Sequence, residues 1–151
     1  MNFVEISTEE MDRPSWAESL AAFAVKVMDE RGHKDWDLSL LLCNNELIRS
    51  LNARFREKDE ATDILSFELG ESFDDGDGKR YHPGDIVISL EMVEENARYF
   101  NVPLDEELRR LVIHGILHLE GRDHFTNDGL EPMLQLQETV LSNLSGERIL
   151  P

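Results

Sequence analysis

Three histidines between His114 and His124 restrict this chain more than any other feature of its sequence. They lie in the run His114-Gly115-Ile116-Leu117-His118-Leu119-Glu120-Gly121-Arg122-Asp123-His124. His114 and His118 stand one helical turn apart, so on a helix their imidazoles leave the same face. That spacing lets both rings reach one ion at the roughly 2.0–2.1 Å of a zinc–nitrogen bond. A third ligand cannot follow on the same face; the chain must stop and turn back. Gly121 sits where a helix end needs a left-handed residue, and the turn can bring His124 round to the metal. Three protein ligands leave a fourth position for water, the mark of a catalytic rather than a structural site. The expectation is one transition-metal ion, Zn²⁺ first, with Ni and Fe as alternatives that imidazole ligands also suit.

The pattern H-x-x-x-H-x-x-G-x-x-H is that of metzincin proteases, with one difference. Those enzymes carry a glutamate directly after the first histidine as the general base, where this chain has Gly115. Peptide hydrolysis by that route is therefore disfavoured. Asp123 has two readings: it accepts an N–H from a ligating imidazole, or it caps the turn. Glu120 and Arg122 read as solvated surface. His33 and His82 read as residues of exposed loops.

The rest of the chain alternates strand and helix patterns. Asn2 to Ser7 alternates like a short strand, and Ser15-Trp16-Ala17-Glu18 has the form of a capping box. Trp16, Leu20, Phe23, Ala24, Val27 and Met28 then follow helical spacing. Asp37 to Cys43 is a buried strand, and Asn45 opens a helix with Leu47, Ile48, Leu51 and Phe55 on one face. Ile64 to Leu69 and Asp85 to Leu90 read as strands separated by a polar, glycine-rich loop from Gly70 to Gly84. Within that loop, Asp74-Asp75-Gly76-Asp77-Gly78 fails the calcium-loop spacing and reads as an acidic loop. Helices follow over Glu91 to Phe100, Asp105 to Leu119 and Leu130 to Leu144, with a loose tail after about residue 145. The order predicts one α+β domain over residues 1–151: a four-stranded mixed sheet packed by helices, with the metal on one of them.

Thr62, Asp63 and Ser66 precede or begin a strand and either cap a loop or contact substrate. Asp85, opening the next strand, either orients a ligand or fixes the turn after Pro83-Gly84. A formal charge of −17, from 32 acids against 15 bases, repels polyanions at long range. A nucleic-acid function then needs a local basic patch, a metal or a basic partner. The single Cys43 excludes an internal disulfide and fits a reducing compartment. No apolar run approaches the ~18 residues of a membrane span, and the first residues lack a secretory signal. The expectation is a cytoplasmic protein.

With these residues in hand, the sequence resembles the YbeY family of metal-dependent endoribonucleases. The family's H-G-x-L-H-L-x-G-[YH]-D-H signature matches His114 to His124, with Arg122 at the variable aromatic position. A second block, L-N-x-x-[FY]-R-x-K-D-x-P-T-[DN]-V-L-S-F, matches Leu51 to Asp59 and Thr62 to Phe67. There Ala61 replaces a proline and Ile64 a valine. A third, G-D-I-x-I-S, matches Gly84 to Ser89. The resemblance implies a zincin-like α+β fold, a three-histidine zinc site, and cleavage of single-stranded RNA in 16S rRNA 3′-end maturation and ribosome biogenesis. It implies functional roles for Arg56 and His114. Read alone, Arg56 is a surface arginine paired with Glu57 or Asp59; the resemblance makes it a phosphate ligand, since a guanidinium fork matches phosphate. A basic ribosomal protein or an assembly GTPase is the expected protein partner. The alternatives are a ribosome-assembly binding factor with a structural metal, and an atypical metallopeptidase.

Overall fold

Alternation along Asp37–Cys43 buries Leu38, Leu40 and Leu42, and the strands around it assemble on that apolar row. The computed structural model describes residues 1–151. Its elements are β1 (Phe3–Thr8), α1 (Ala17–Glu30), β2 (Asp37–Cys43), α2 (Asn45–Arg56), β3 (Ile64–Asp74) and β4 (Lys79–Ser89). Three helices follow: α3 (Leu90–Phe100), α4 (Leu104–Leu119) and α5 (Pro132–Asn143). This is the predicted order of elements. The sheet runs β1-β2-β4-β3. β1 with β2 and β2 with β4 pair in parallel, and β3 with β4 antiparallel, so the sheet is mixed as expected.

Parallel inner strands need cover on both faces. One face, carrying Leu40, Ile86 and Ile88, packs against α1 through Leu20, Phe23 and Val27 and against α4 through Val112 and Ile116. The other carries Leu65 and Val87, which join Cys43 and Ile48 under α2. No helix is long and apolar enough to cross a membrane.

Local details depart from the sequence reading. Ser15 caps nothing: α1 starts at Ala17 with Trp16 at the N-cap position, and the Glu18 carboxylate accepts from Arg13 Nη2 at 2.7 Å instead. Phe55 is not on a buried face; it is exposed and lies edge-on to Phe67. Leu130 is exposed and α5 begins at Pro132.

The stretch from Gly70 to Gly84 is not a loop. It is the outer arm of the β3–β4 hairpin, paired from Glu71↔His82 to Asp74↔Lys79 beyond a bulge at Glu68/Glu71. Solvent wets both faces of most of this arm, so it carries no apolar alternation to read. Only the tip turns, where Asp75 N–H donates to the Gly78 carbonyl and Asp74 and Asp75 accept from the Gly76 and Asp77 N–H groups.

The tail is ordered. Ile149 is buried, and the N–H groups of Ile149 and Leu150 both donate to Asp105 Oδ1 at 2.8 Å. Arg109 Nε completes the same carboxylate at 2.7 Å. Burial alone would raise the Asp105 carboxyl; these donors outweigh it and hold it below its ordinary value. Asp105→Ala leaves the buried Ile149 N–H, the part-buried Leu150 N–H and a guanidinium unpaired. It should cost about 3 kcal/mol, with Asp105→Asn costing less, read by urea unfolding at neutral pH.

Candidate metal centre

α4 is buried on most sides, and its partly open strip carries the two histidines. Leu108, Leu111, Val112, Ile113, Gly115, Ile116, Leu117 and Leu119 are buried, whereas His114 and His118 are half-buried. Gly115 is where helix and sheet come closest. A Cβ there would lie 2.8 Å from Ile86 Cδ1 and 2.9 Å from Ile64 Cδ1. The residue after the first histidine therefore packs on the sheet, leaving a glutamate there no space to act as a base.

The helix ends as its sequence predicts. Gly121, with φ +93°, takes the left-handed position. Its N–H donates to the His118 carbonyl at 2.9 Å and that of Arg122 to the Leu117 carbonyl at 3.2 Å. These are the paired bonds of a Schellman cap. The cap reverses the chain, and His124 arrives beside the helical pair. Ring centroids stand 4.7 Å apart for His114–His118, 5.1 Å for His114–His124 and 5.5 Å for His118–His124. One ligand nitrogen from each ring lies within 4.8 Å of the others.

Each ring is oriented through Nδ1. His114 Nδ1 lies 2.6 Å from Gln137 Oε1, His118 Nδ1 3.0 Å from the Arg122 carbonyl, and His124 Nδ1 2.7 Å from the Thr126 carbonyl. A carbonyl oxygen can only accept, so Nδ1 carries the proton in each neutral ring. Gln137 is turned the right way because its Nε2 donates to Glu138 Oε2 at 3.2 Å. Each neutral ring therefore leaves Nε2 bare. The bare Nε2 atoms of His114 and His118 face each other across 3.1 Å, two lone pairs that a cation between them would reconcile. The donor set fits a transition-metal ion, with oxygen acceptors behind every ligand as such sites require.

Burial, with the neighbouring imidazoles adding to it, holds His114 and His118 below the ordinary histidine value. Both are therefore neutral near pH 7, the form that binds metal. Asp63 is the nearby carboxylate whose field His114 feels, and burial pushes its own carboxyl up. It accepts from Asn96 Nδ2 at 3.0 Å and from the Thr62 hydroxyl at 3.4 Å.

The pair His114 and His118 opens into a cleft of about 670 Å³. Arg56, Thr62, Ser66 and Asp123 line it with them. The Arg56 guanidinium donates from Nη2 to the Ser66 carbonyl at 2.6 Å and lies 5.4 Å over the Phe67 ring. It pairs with neither Glu57 nor Asp59; Asp59 is held by Arg49. Asp123 caps the turn, its Oδ1 accepting from the His124 N–H at 2.8 Å. Asp85 lies apart from the cleft, lining an apolar groove on the other sheet face with Phe55, Phe67 and Val87.

Sequence reasoning missed several residues. Gln137 is a polar residue on the buried stripe of α5, among Met133, Val140 and Leu141, and that misfit was the signal available. Lys58, Glu60 and Glu68 also line the cleft; Lys58 fills the lysine position of the L-N-x-x-[FY]-R-x-K-D block, whereas Glu60 and Glu68 carried no signal. The Glu120 side chain is turned inward rather than solvated, and His33, its partner at 2.7 Å, is partly buried rather than exposed. His82 lies partly buried within β4, 3.4 Å from Asp85. On the cleft wall Arg56, Lys58 and Arg122 face Glu60, Glu68 and Asp123, three cations against three carboxylates, in a chain of 15 bases and 32 acids. The cleft is thus locally balanced on an acidic molecule.

The chain is similar to known proteins over most of its length. Residues 4–145 match the family model described as endoribonuclease YbeY. The endoribonuclease YbeY of Treponema pallidum is 44% identical over 143 residues, covering 94% of this chain and 89% of that protein. That of Borrelia turicatae is 49% identical over 120 residues, covering 79% of this chain and 80% of its own. The solution structure of TM1509 from Thermotoga maritima superposes with a TM-score of 0.65 at 31% identity, covering 95% of this chain and 89% of that one.

Gln137→Leu should weaken metal binding about 10- to 100-fold without unfolding the chain, measured by chelator competition. In metal-free protein the unfolded chain takes up protons at His114 and His118 before the native state does. Native stability should therefore fall as pH drops below about 6.5. Melting temperatures at pH 7.5 and 5.5 check this, and the difference should shrink in the His114→Ala/His118→Ala double variant.

Proposed function

The chain belongs to the endoribonuclease YbeY family, and on that premise we propose that it is a zinc-dependent, single-strand-specific endoribonuclease acting on small-subunit ribosomal RNA, including maturation of its 3′ end. The observation that carries the reading is one cleft holding two of the three convergent imidazoles together with a guanidinium.

His114, His118 and His124 would hold the ion through Nε2. When bound there, it supplies Lewis acidity toward a phosphoryl oxygen. The other parts belong to the protein. Arg56 is anchored to the Ser66 carbonyl through one Nη, which leaves its remaining N–H groups for a phosphodiester's non-bridging oxygens. Thr62 and Ser66 offer hydroxyl groups along the same wall. The balance of charge in the cleft spares a polyanion the repulsion it meets elsewhere on the surface. A single strand, whose backbone and bases are free to splay, suits such a cleft better than a duplex. Gly115, pressed on the sheet, argues against the peptidase alternative.

The acidic remainder of the surface suits a basic protein partner, and we assign that role to a ribosomal protein or an assembly GTPase. A cytoplasmic location accords with the lone Cys43, whose buried thiol is pushed up to about 11 and so is poorly reactive.

Labelled single-stranded RNA incubated with the purified protein should be cut, and a chelator or His114→Ala should abolish cutting. Arg56→Ala should lower kcat/KM about 100-fold, with Arg56→Lys recovering only part, because an ammonium lacks the planar fork. Cutting that survives both chelator and His114→Ala would overturn the proposal. Elemental analysis of unsupplemented protein should find zinc; nickel or iron would correct the metal and leave the chemistry.

A further inference from the structure

Glu120 is the most heavily engaged carboxylate near the metal centre, yet it is not a ligand. It occupies the C-cap position of α4, between His118 and Gly121. Its side chain is only 8% exposed. Oε2 accepts from Arg31 Nε at 3.0 Å and lies 2.7 Å from His33 Nε2. Oε1 accepts from Arg31 Nη2 at 3.0 Å and Arg122 Nε at 3.2 Å. Arg31 and His33 come from the end of α1 and the turn after it, far away in sequence. His33 is itself stacked on Trp36, with ring centroids 3.6 Å apart and planes at 14°.

We propose that Glu120 is a positioning residue for the metal centre: with Arg31 and His33 it fixes the turn that delivers the Arg122 carbonyl to His118 and His124 to the ion. The inference rests on the three-histidine metal site and not on the identity of the RNA. Helix termination does not need this carboxylate, because the backbone bonds of Gly121 and Arg122 complete the cap. Those bonds are internal to the end of α4. They fix the shape of the turn but not its seat on the rest of the molecule. Gly121, Arg122 and Asp123 are exposed, so apolar packing does not hold them. On the far side the loop is pinned by Glu131, which accepts from the Phe125 and Thr126 N–H groups. On the near side the side-chain anchor is Glu120. A buried ion pair contributes little net stability compared with apolar packing; here its bidentate, multiply bonded geometry supplies position.

The test is metal affinity, read below each variant's measured melting transition, by competition for Zn²⁺ with a chromophoric chelator. The visible spectrum of Co²⁺-loaded protein reports ligand geometry. Glu120→Gln keeps the shape and removes the charge, and Arg31→Ala removes the distant partner without touching a ligand. Each should raise the Zn²⁺ Kd about 10-fold or more and alter the Co²⁺ bands. The double variant should be little worse than the weaker-binding single one, because the two changes break one interaction. Asp105→Asn, at the opposite end of α4, serves as control and should lower the melting temperature without moving the Kd. A Glu120→Gln protein that melts earlier yet keeps its Kd within twofold of the natural chain would reduce Glu120 to an ordinary structural ion pair and overturn the proposal. Failure of the natural chain itself to bind Zn²⁺ in a His114-dependent way would overturn the metal site as well, so the two failures are distinguishable.

Discussion

The close approach of α4 to the sheet is the constraint on which the rest of the molecule depends. Gly115 lets the helix backbone settle against Ile64 and Ile86. That contact fixes which strip of α4 stays open, and His114 and His118 lie on it. Ile64 opens β3, and the segment from Thr62, just before that strand, to Ser66 within it becomes a wall of the cleft. One packing contact thus sets both the direction of the ligands and the wall that faces them. It also removes the space in which proteases with this histidine pattern keep their base.

Around the ligands, orientation is supplied by three oxygen acceptors. The Arg122 and Thr126 carbonyls come from the turn itself, and Gln137 comes from α5. All three impose the same tautomer, so the bare nitrogens converge without further adjustment. Burial keeps His114 and His118 unprotonated near neutral pH. The neutral form is needed for ligation, and the packing that orients the rings also secures it. Charge follows a similar division of labour. The molecule as a whole is strongly acidic, whereas the cleft wall matches its carboxylates with arginine and lysine. A net charge is a property of composition; a local balance is a property of the fold.

Much of this was legible beforehand where one element carries its own pattern. The helical spacing of Leu20, Phe23, Val27 and Met28, the apolar run of β2, and the histidine spacing with its terminal glycine each report a local period. A local pattern is silent where structure depends on a distant partner. The outer β3–β4 arm is wetted on most of both faces, so pairing rather than burial makes it a strand. The tail after residue 145 looked loose because its anchor, Asp105, lies 44 residues away. Glu120 looked solvated because Arg31 and His33 are supplied by α1.

By itself the sequence determined that α4 would be a helix with two imidazoles one turn apart, that Gly121 would end it, and that no carboxylate would follow His114. These are consequences of spacing and residue type, which act within a turn or two of the chain. Only the tertiary structure decided that Gln137 would stand behind His114, that Arg56 would anchor on Ser66 and share the cleft with the histidines, and that Asp85 would line the other sheet face. Those outcomes depend on strand register and on which helix covers which face. Such relations join residues far apart in sequence, and no local period records them.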